Sequence, residues 1–364
     1  MVVPVSNNGI SHSHNETKEV LSDLYTVKHK IRVDSTLTSI KISPNGKTFT
    51  CCSSDNIIRV YDLVSGQKIA SLKGHTKGIS DIVYSPINSD IIASCSDDLT
   101  IRLWSISKKT CIKILKKHTY HITTIKFTSK GNILISGSAD ETITIWDITS
   151  GKTLKTLAAH SDPVSSLSLT PDSSIIVSSS YDGLMRLFDL ESGQCLKTLT
   201  YNSTSHGTAT ASTNDVLNFP ISNVEMSPNG KYILSSSLDG LIRLWDYMDN
   251  KVLKTYRGID NRPISEKFNC GTRFITRTSN PLIVSGSESL GLLIWDLQSK
   301  KVVYQLQDSQ EPVFEVDIYE EGKILVSCSK DGIINVLELN PKFLGITHDV
   351  IYRDDTPFTP HDTI

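Results

Sequence analysis

The sequence holds little that marks a redox, metal-binding or membrane role. Its seven cysteines (Cys51, Cys52, Cys95, Cys111, Cys195, Cys270 and Cys328) contain no CxxC pair and fit no secreted disulfide framework. A zinc or dithiol motif is thereby unsupported, and a reducing compartment is the expected setting. No P-loop, GxGxxG, HExxH or GxSxG segment occurs. No stretch approaches the roughly 18 apolar residues of a membrane span. The start, MVVPVSNNGISHSHNETKEV, lacks the basic and then apolar pattern of a signal peptide. Neither sign of charge dominates: Lys+Arg 37 against Asp+Glu 39 gives a net charge of -2, which offers no basic field for nucleic acid. The expectations are no catalytic residue, no cofactor, no metal, no membrane and no direct nucleic-acid partner, in the cytosol or nucleus.

What is present is a repeat. Trp104, Trp146 and Phe188 follow one another at 42 residues, and Tyr61 precedes Trp104 by 43. Trp245 comes 57 later, Trp295 another 50 and Leu337 another 42, which makes seven units. An aspartate stands six residues before each anchor (Asp55, Asp98, Asp140, Asp182, Asp239, Asp331), except where Ser289 replaces it beside Glu288. The residue after the anchor is acidic except at Ser105. Segments such as IRLW and ITIWD alternate with period two, as half-buried strands do. SGK at 150–152, SGQ at 192–194 and SPNG at 227–230 are turn signals. A period near 42 with this pattern fits WD40 repeats, whose units run to roughly 40–45 residues.

The predicted fold is therefore all-β: a seven-bladed WD40 β-propeller with about four antiparallel strands per blade. The last unit has only three clear strands, so LYTVKHKI at 24–31 is expected to supply its outermost one and close the ring. The expected organisation is a disordered segment 1–22, a propeller over 23–340 and a flexible tail 341–364. Residues 201–219, rich in Ser, Thr and Asn, read as an inserted exposed loop.

Three sets have the composition of hydrolase triads: His75 with Ser94 and Asp98, His118 with Ser136 and Asp140, and His160 with Ser178 and Asp182. A catalytic site needs one copy, whereas these recur blade after blade at one spacing. The expected role is a buried hydrogen-bond chain linking each histidine, through serine or aspartate, to the blade's anchor, such as Trp104 or Trp146.

Longer strings carry a narrower resemblance. AHSDPVSSL at 159–167, IIVSSSYDGL at 175–184, SGQCLKTL at 192–199, SPNGKYIL at 227–234, LWDY at 244–247, LKTY at 253–256 and IVSGSE at 283–288 resemble one subfamily. It is the WD-repeat scaffold subunit of COMPASS and MLL-type histone H3 lysine 4 methyltransferase complexes. The resemblance spans roughly residues 24–339. It implies a nuclear, non-catalytic scaffold that assembles with a second WD-repeat subunit and a SET-domain methyltransferase, with the histone H3 tail as a further partner. In the family, a cleft on one face binds the second WD-repeat subunit. Its positions fall on Asn229, Tyr232, Leu244, Lys254, Phe268 and Gln298, with Leu244 and Phe268 expected as its apolar floor. The mouth of the central channel grips an arginine-containing peptide in the family. Ser80, Asp97, Pro163 and Tyr181 match there, but the family's two clamping phenylalanines fall on Thr123 and Ala139. The alternative reading is a WD-repeat adaptor in another assembly, such as a splicing particle or ubiquitin ligase.

Overall fold

The computed structural model describes residues 23–201, 219–308 and 310–344. The amino-terminal segment 1–22, the insert over 202–218 and the tail 345–364 lie outside the described residues. Residues 341–344, expected in the tail, instead form a turn at Pro341–Phe343 and a bridge from Leu344 to Thr278.

Seven four-stranded antiparallel sheets make the blades. Blades one to six span 37–73, 79–116, 122–158, 164–199, 221–256 and 272–306 in chain order. Blade seven takes three strands from 313–339 and its outermost from Tyr25–Arg32, which pairs antiparallel with Ile333–Leu339. The ring thus closes by sharing one sheet between the two ends of the propeller, which leaves no blade without its outer strand.

Blades are covered on both sides, so alternate residues are buried against different neighbours. One apolar cluster fills each of the seven interfaces, and each holds one repeat anchor. Trp104 packs with Ile58 and Leu72 of blade one, and Trp146 with Ala93 and Leu103 of blade two. Phe188 packs with Ile135 and Ile145, Trp245 with Val177 and Leu187, and Trp295 with Leu234 and Leu244. Leu337 packs with Val284 and Ile294, where Leu24 and Tyr25 join it. Tyr61 meets Val326 and Val336. The anchor period is thus the blade period because one large side chain seals each joint.

The acidic residue after the anchor has a local cause. Asp147 accepts hydrogen bonds from the backbone N–H of Thr149 and Ser150, which bends the chain into the turn that Gly151 completes at φ +74°. Asp62, Asp189, Asp246 and Asp296 do the same in their blades. In blade two Ser105 Oγ accepts from Lys108 N–H at 3.2 Å, and Asp90 accepts from Ser107 N–H at 2.7 Å.

The strand order gives the ring two faces. The first carries the turns joining strands one to two and three to four of each blade. The second carries the turns joining strands two to three and the crossings to the next blade.

Candidate functional site

In blades two and three the histidine sets are closed networks. His75 Nδ1 lies 2.8 Å from Asp98 and its Nε2 2.7 Å from Ser94 Oγ, which accepts from Trp104 Nε1 at 2.8 Å. His118 repeats this with Asp140 at 2.9 Å, Ser136 at 2.7 Å and Trp146 at 2.9 Å. Ser94 and Ser136 are fully buried, so neither hydroxyl faces a space a substrate would enter. In blade four His160 holds Asp182 and Ser178, but Phe188 has no N–H to give, and Arg186 joins His160 and Asp182 instead. Burial opposes ionisation of all three carboxylates, yet hydrogen bonds prevail. Thr100, Thr76 N–H and His75 hold Asp98 below the usual range. His118, Thr142 and Thr119 N–H do so for Asp140, and His160 leads in holding Asp182 at about 2. Burial pushes His75 below the usual histidine range.

Blades five and six abandon this device. In blade five Tyr201 takes the histidine's place: its ring sits 6.3 Å from that of Trp245, as His118 sits 6.4 Å from Trp146. Arg243 stacks over Tyr201 at 3.9 Å and pairs with Asp239. In blade six Trp295 Nε1 donates to the carbonyl of Arg257, and Glu288 accepts from the N–H groups of Glu266 and Lys267.

The first face bears a groove between these two blades. Lys254 Nζ reaches across it to Gln298, donating to its carbonyl at 3.0 Å and to Oε1 at 2.7 Å. Tyr256 Oη donates to Leu297 O. Burial, then the charge of Lys300, holds Lys254 below the usual lysine range. Half-buried Tyr232 packs on the cluster of Leu234, Leu244 and Trp295. Asn229 is exposed in the neighbouring turn, where its Oδ1 accepts from Ser227 Oγ and Lys231 N–H. Leu244 is only 2% exposed, so it supports the groove from beneath rather than lining it.

Phe268 does not belong to this groove. It lies in the crossing into blade six, on the second face, with its ring 5.5 Å from Phe314 and Lys330 above it. The phenylalanine that shares an apolar cluster with Leu244 is Phe274, on the inner strand Thr272–Ile275. The crossing over 257–271 follows a different course from its counterparts, and counting along the chain through it lands on the wrong aromatic.

On the second face the channel opens into a cavity of about 390 Å³ whose lining includes Ser80, Asp97, His121, Thr123, Asn269 and Phe314. Ser80 Oγ donates to Asp97 at 3.3 Å. Tyr181 is brought to the mouth by Asn269, whose Nδ2 donates to its hydroxyl at 2.8 Å. Pro163 lies apart from the lining and contributes its carbonyl to Tyr181 N–H. Thr123 spends its hydroxyl on the carbonyls of Val164 and Gly137. Ala139 is outside the lining and binds His121 through its backbone. Phe314, on the wall of blade seven, gives this mouth an aromatic face, with Phe268 packed behind it at 5.5 Å. No local sequence signal announces it, because the two residues lie on segments from different blades.

A family model described as the WDR5 beta-propeller domain matches residues 29–338. The chain is 34% identical over 122 residues to the COMPASS component SWD3 of Saccharomyces cerevisiae, a match covering 31% of this chain and 37% of that protein. It is 25% identical over 120 residues to the U3 small nucleolar RNA-associated protein 21 homolog of Schizosaccharomyces pombe, covering 33% and 12%. It is 21% identical over 119 residues to the WD repeat-containing protein 55 homolog of Drosophila melanogaster, covering 33% and 22%. In each case the match spans well under half the length of the relative.

Proposed function

Because the chain belongs to the WDR5 beta-propeller family, we propose that it is a nuclear scaffold without activity of its own, assembling a COMPASS-like histone H3 lysine 4 methyltransferase. Methyl transfer then resides in a SET-domain subunit of the same complex. What carries this reading is the similarity to the COMPASS component of yeast, alongside a family match that spans the ring.

The groove between blades five and six is where a second WD-repeat subunit docks. Tyr232 offers apolar edge, Leu244 and Phe274 keep the floor rigid, and Lys254, Gln298 and Asn229 supply polar contacts at the rim. A peptide docks at the channel mouth, where Ser80, Asp97 and Tyr181 present polar groups. There Phe314 gives an aromatic face for a cationic side chain in place of the rings absent at Thr123 and Ala139. The histone H3 tail is the candidate for that peptide.

A second reading is a WD-repeat adaptor in another assembly, favoured by the similarity to the small nucleolar RNA-associated homolog. One experiment decides between them: affinity purification of the tagged chain, with the co-purifying proteins identified, beside a Lys254→Glu, Gln298→Ala variant. Recovery of a SET-domain methyltransferase and a second WD-repeat subunit, both lost in the variant, supports the complex and the groove. Their absence from the wild-type sample assigns the chain to the assembly that is recovered instead.

A further inference from the structure

The chain leaves blade seven on the first face. After Leu339 it turns over Pro341–Phe343, where Asn340 accepts from Lys342 N–H, and Leu344 then bridges Thr278 in blade six. Phe343 and Leu344 pack on the apolar cluster of the joint they cross. The chain thus travels from blade seven to blade six, and the next joint on that course is the groove between blades six and five. Thr278 shares a turn with Pro281, whose carbonyl accepts from the N–H of Leu297, the residue before Gln298.

Charge points the same way. The turns bordering the groove, 227–231, 246–251, 276–281 and 296–301, carry Lys231, Lys251, Arg277, Lys300 and Lys301 against Asp246, Asp249 and Asp296. Lys254 adds a further cation, held by two neutral oxygens of Gln298. Burial first, and then Lys300, disfavours its charge, which an arriving carboxylate relieves. On the other side of Thr278 the blade-seven turn carries Glu320 and Glu321, and Lys323 pairs with Glu320 at 2.9 Å. The segment that follows Leu344, GITHDVIYRDDTPFTPHDTI, holds Asp349, Asp354, Asp355 and Asp362 against Arg353. An acidic segment that starts at Thr278 is therefore drawn towards the groove and away from blade seven. Its length suffices: Val350, Ile351 and Tyr352 follow Leu344 by six to eight residues, a reach of up to roughly 20–28 Å. Crossing blade six takes two to three strand spacings, roughly 10–14 Å.

We infer that residues 345–364 dock in the groove of their own chain between blades five and six, with residues 350–352 against Tyr232 and the flanking carboxylates against Lys254 and Lys300. For its effect on a partner this contact rests on the docking reading above: the second WD-repeat subunit displaces the segment in order to bind. The segment thereby lowers the affinity of the groove for that subunit.

The full chain is treated with a carbodiimide, which joins a carboxylate directly to a lysine it touches, and the links are mapped by mass spectrometry. Mixing 14N and 15N protein separates links within one chain from links between two. The expected links lie within one chain and join Asp349, Asp354 or Asp355 to Lys254, Lys300 or Lys301. A Val350→Ser, Ile351→Ser, Tyr352→Ser variant keeps every carboxylate and lysine, and is expected to cut their yield roughly fivefold or more. Links spread evenly over Lys47, Lys130 and Lys323, links between two copies, or a yield unchanged in the variant overturn the inference. The second subunit supplies the other readout, and is expected to bind the serine variant roughly threefold tighter than wild type. Equal binding, with loss of binding to Lys254→Glu, overturns the competition. Equal binding that also persists in Lys254→Glu overturns the docking reading and leaves the segment's contact to stand on its links.

Discussion

Blades two to four and blades five to six solve the same packing problem differently. In the first group a histidine, a serine and an aspartate recur at fixed spacing, and two of the three sets end on an indole. In the second, Tyr201 with Arg243 and a backbone carbonyl with Glu288 do the same mechanical work. The regular blades spend these histidine, serine and aspartate sets on themselves, in the interior. The irregular ones border the 201–219 insert, the groove with the Lys254–Gln298 pair and the aromatic mouth. The groove proposed for a second WD-repeat subunit thus lies where the repeat departs from its pattern, as expected when only the fold's own joints hold the repeat in place.

That comparison is broken or sharpened by perturbing each region. The largest effect is expected from the closure on which both regions depend. Deleting residues 1–31 removes Leu24 and Tyr25 from the joint between blades six and seven, worth roughly 4 kcal/mol from these two side chains alone. Deleting residues 345–364 is expected to shift melting far less, and equal shifts in thermal unfolding would refute the closure.

Next comes the contrast between the regions themselves. Asp140→Ala strips partners from His118, Thr142 and the N–H of Thr119, at a cost of about 3 kcal/mol. Glu288→Ala frees two exposed N–H groups that water can satisfy, at about 1 kcal/mol or less. Urea unfolding of the two variants ranks them, and the reverse order would remove the distinction between regular and irregular blades.

Acid gives a subtler version. Asp98, Asp140 and Asp182 titrate lower when folded than when unfolded, so the unfolded chain binds more protons just below its own carboxylate range. Their stabilisation is full above about pH 5 and is lost as pH falls through about 4 towards 2. His75, lowered by burial, adds a smaller loss that begins below about pH 6.5. Asp182→Asn is expected to flatten the acid limb of a stability–pH profile measured by urea unfolding. An unchanged slope would show that the blade-four network contributes nothing to it.

The division also explains how far the sequence could be read. Seven blades, the anchors and the strand borrowed from 24–31 were legible because each follows from one period and one missing strand. The histidine sets were legible as a structural device because they recur. The groove was only partly so. Lys254 and Gln298 sit on regular strand and turn positions and come together as their places imply. Leu244, expected as part of the apolar floor, lies beneath it, because a blade packed on both sides buries both faces of its third strand. Phe268 was misplaced because the crossing at 257–271 breaks the count, and the floor belongs to Phe274. Tyr201 was invisible as the counterpart of a histidine, since the extra residues of the insert separate it from the rest of blade five.

The most direct test of this division of labour measures stability and partner capture on the same two proteins. Lys254→Glu with Gln298→Ala alters only exposed or half-buried side chains and is expected to unfold within about 0.5 kcal/mol of wild type while losing its co-purifying second WD-repeat subunit. Asp140→Ala, expressed and purified at low temperature, is expected to unfold far earlier yet retain that subunit while folded. If instead the groove variant keeps its second subunit, or the Asp140 variant loses it while still folded, the assignment of subunit docking to the groove of the irregular blades and of stability to the histidine sets is wrong.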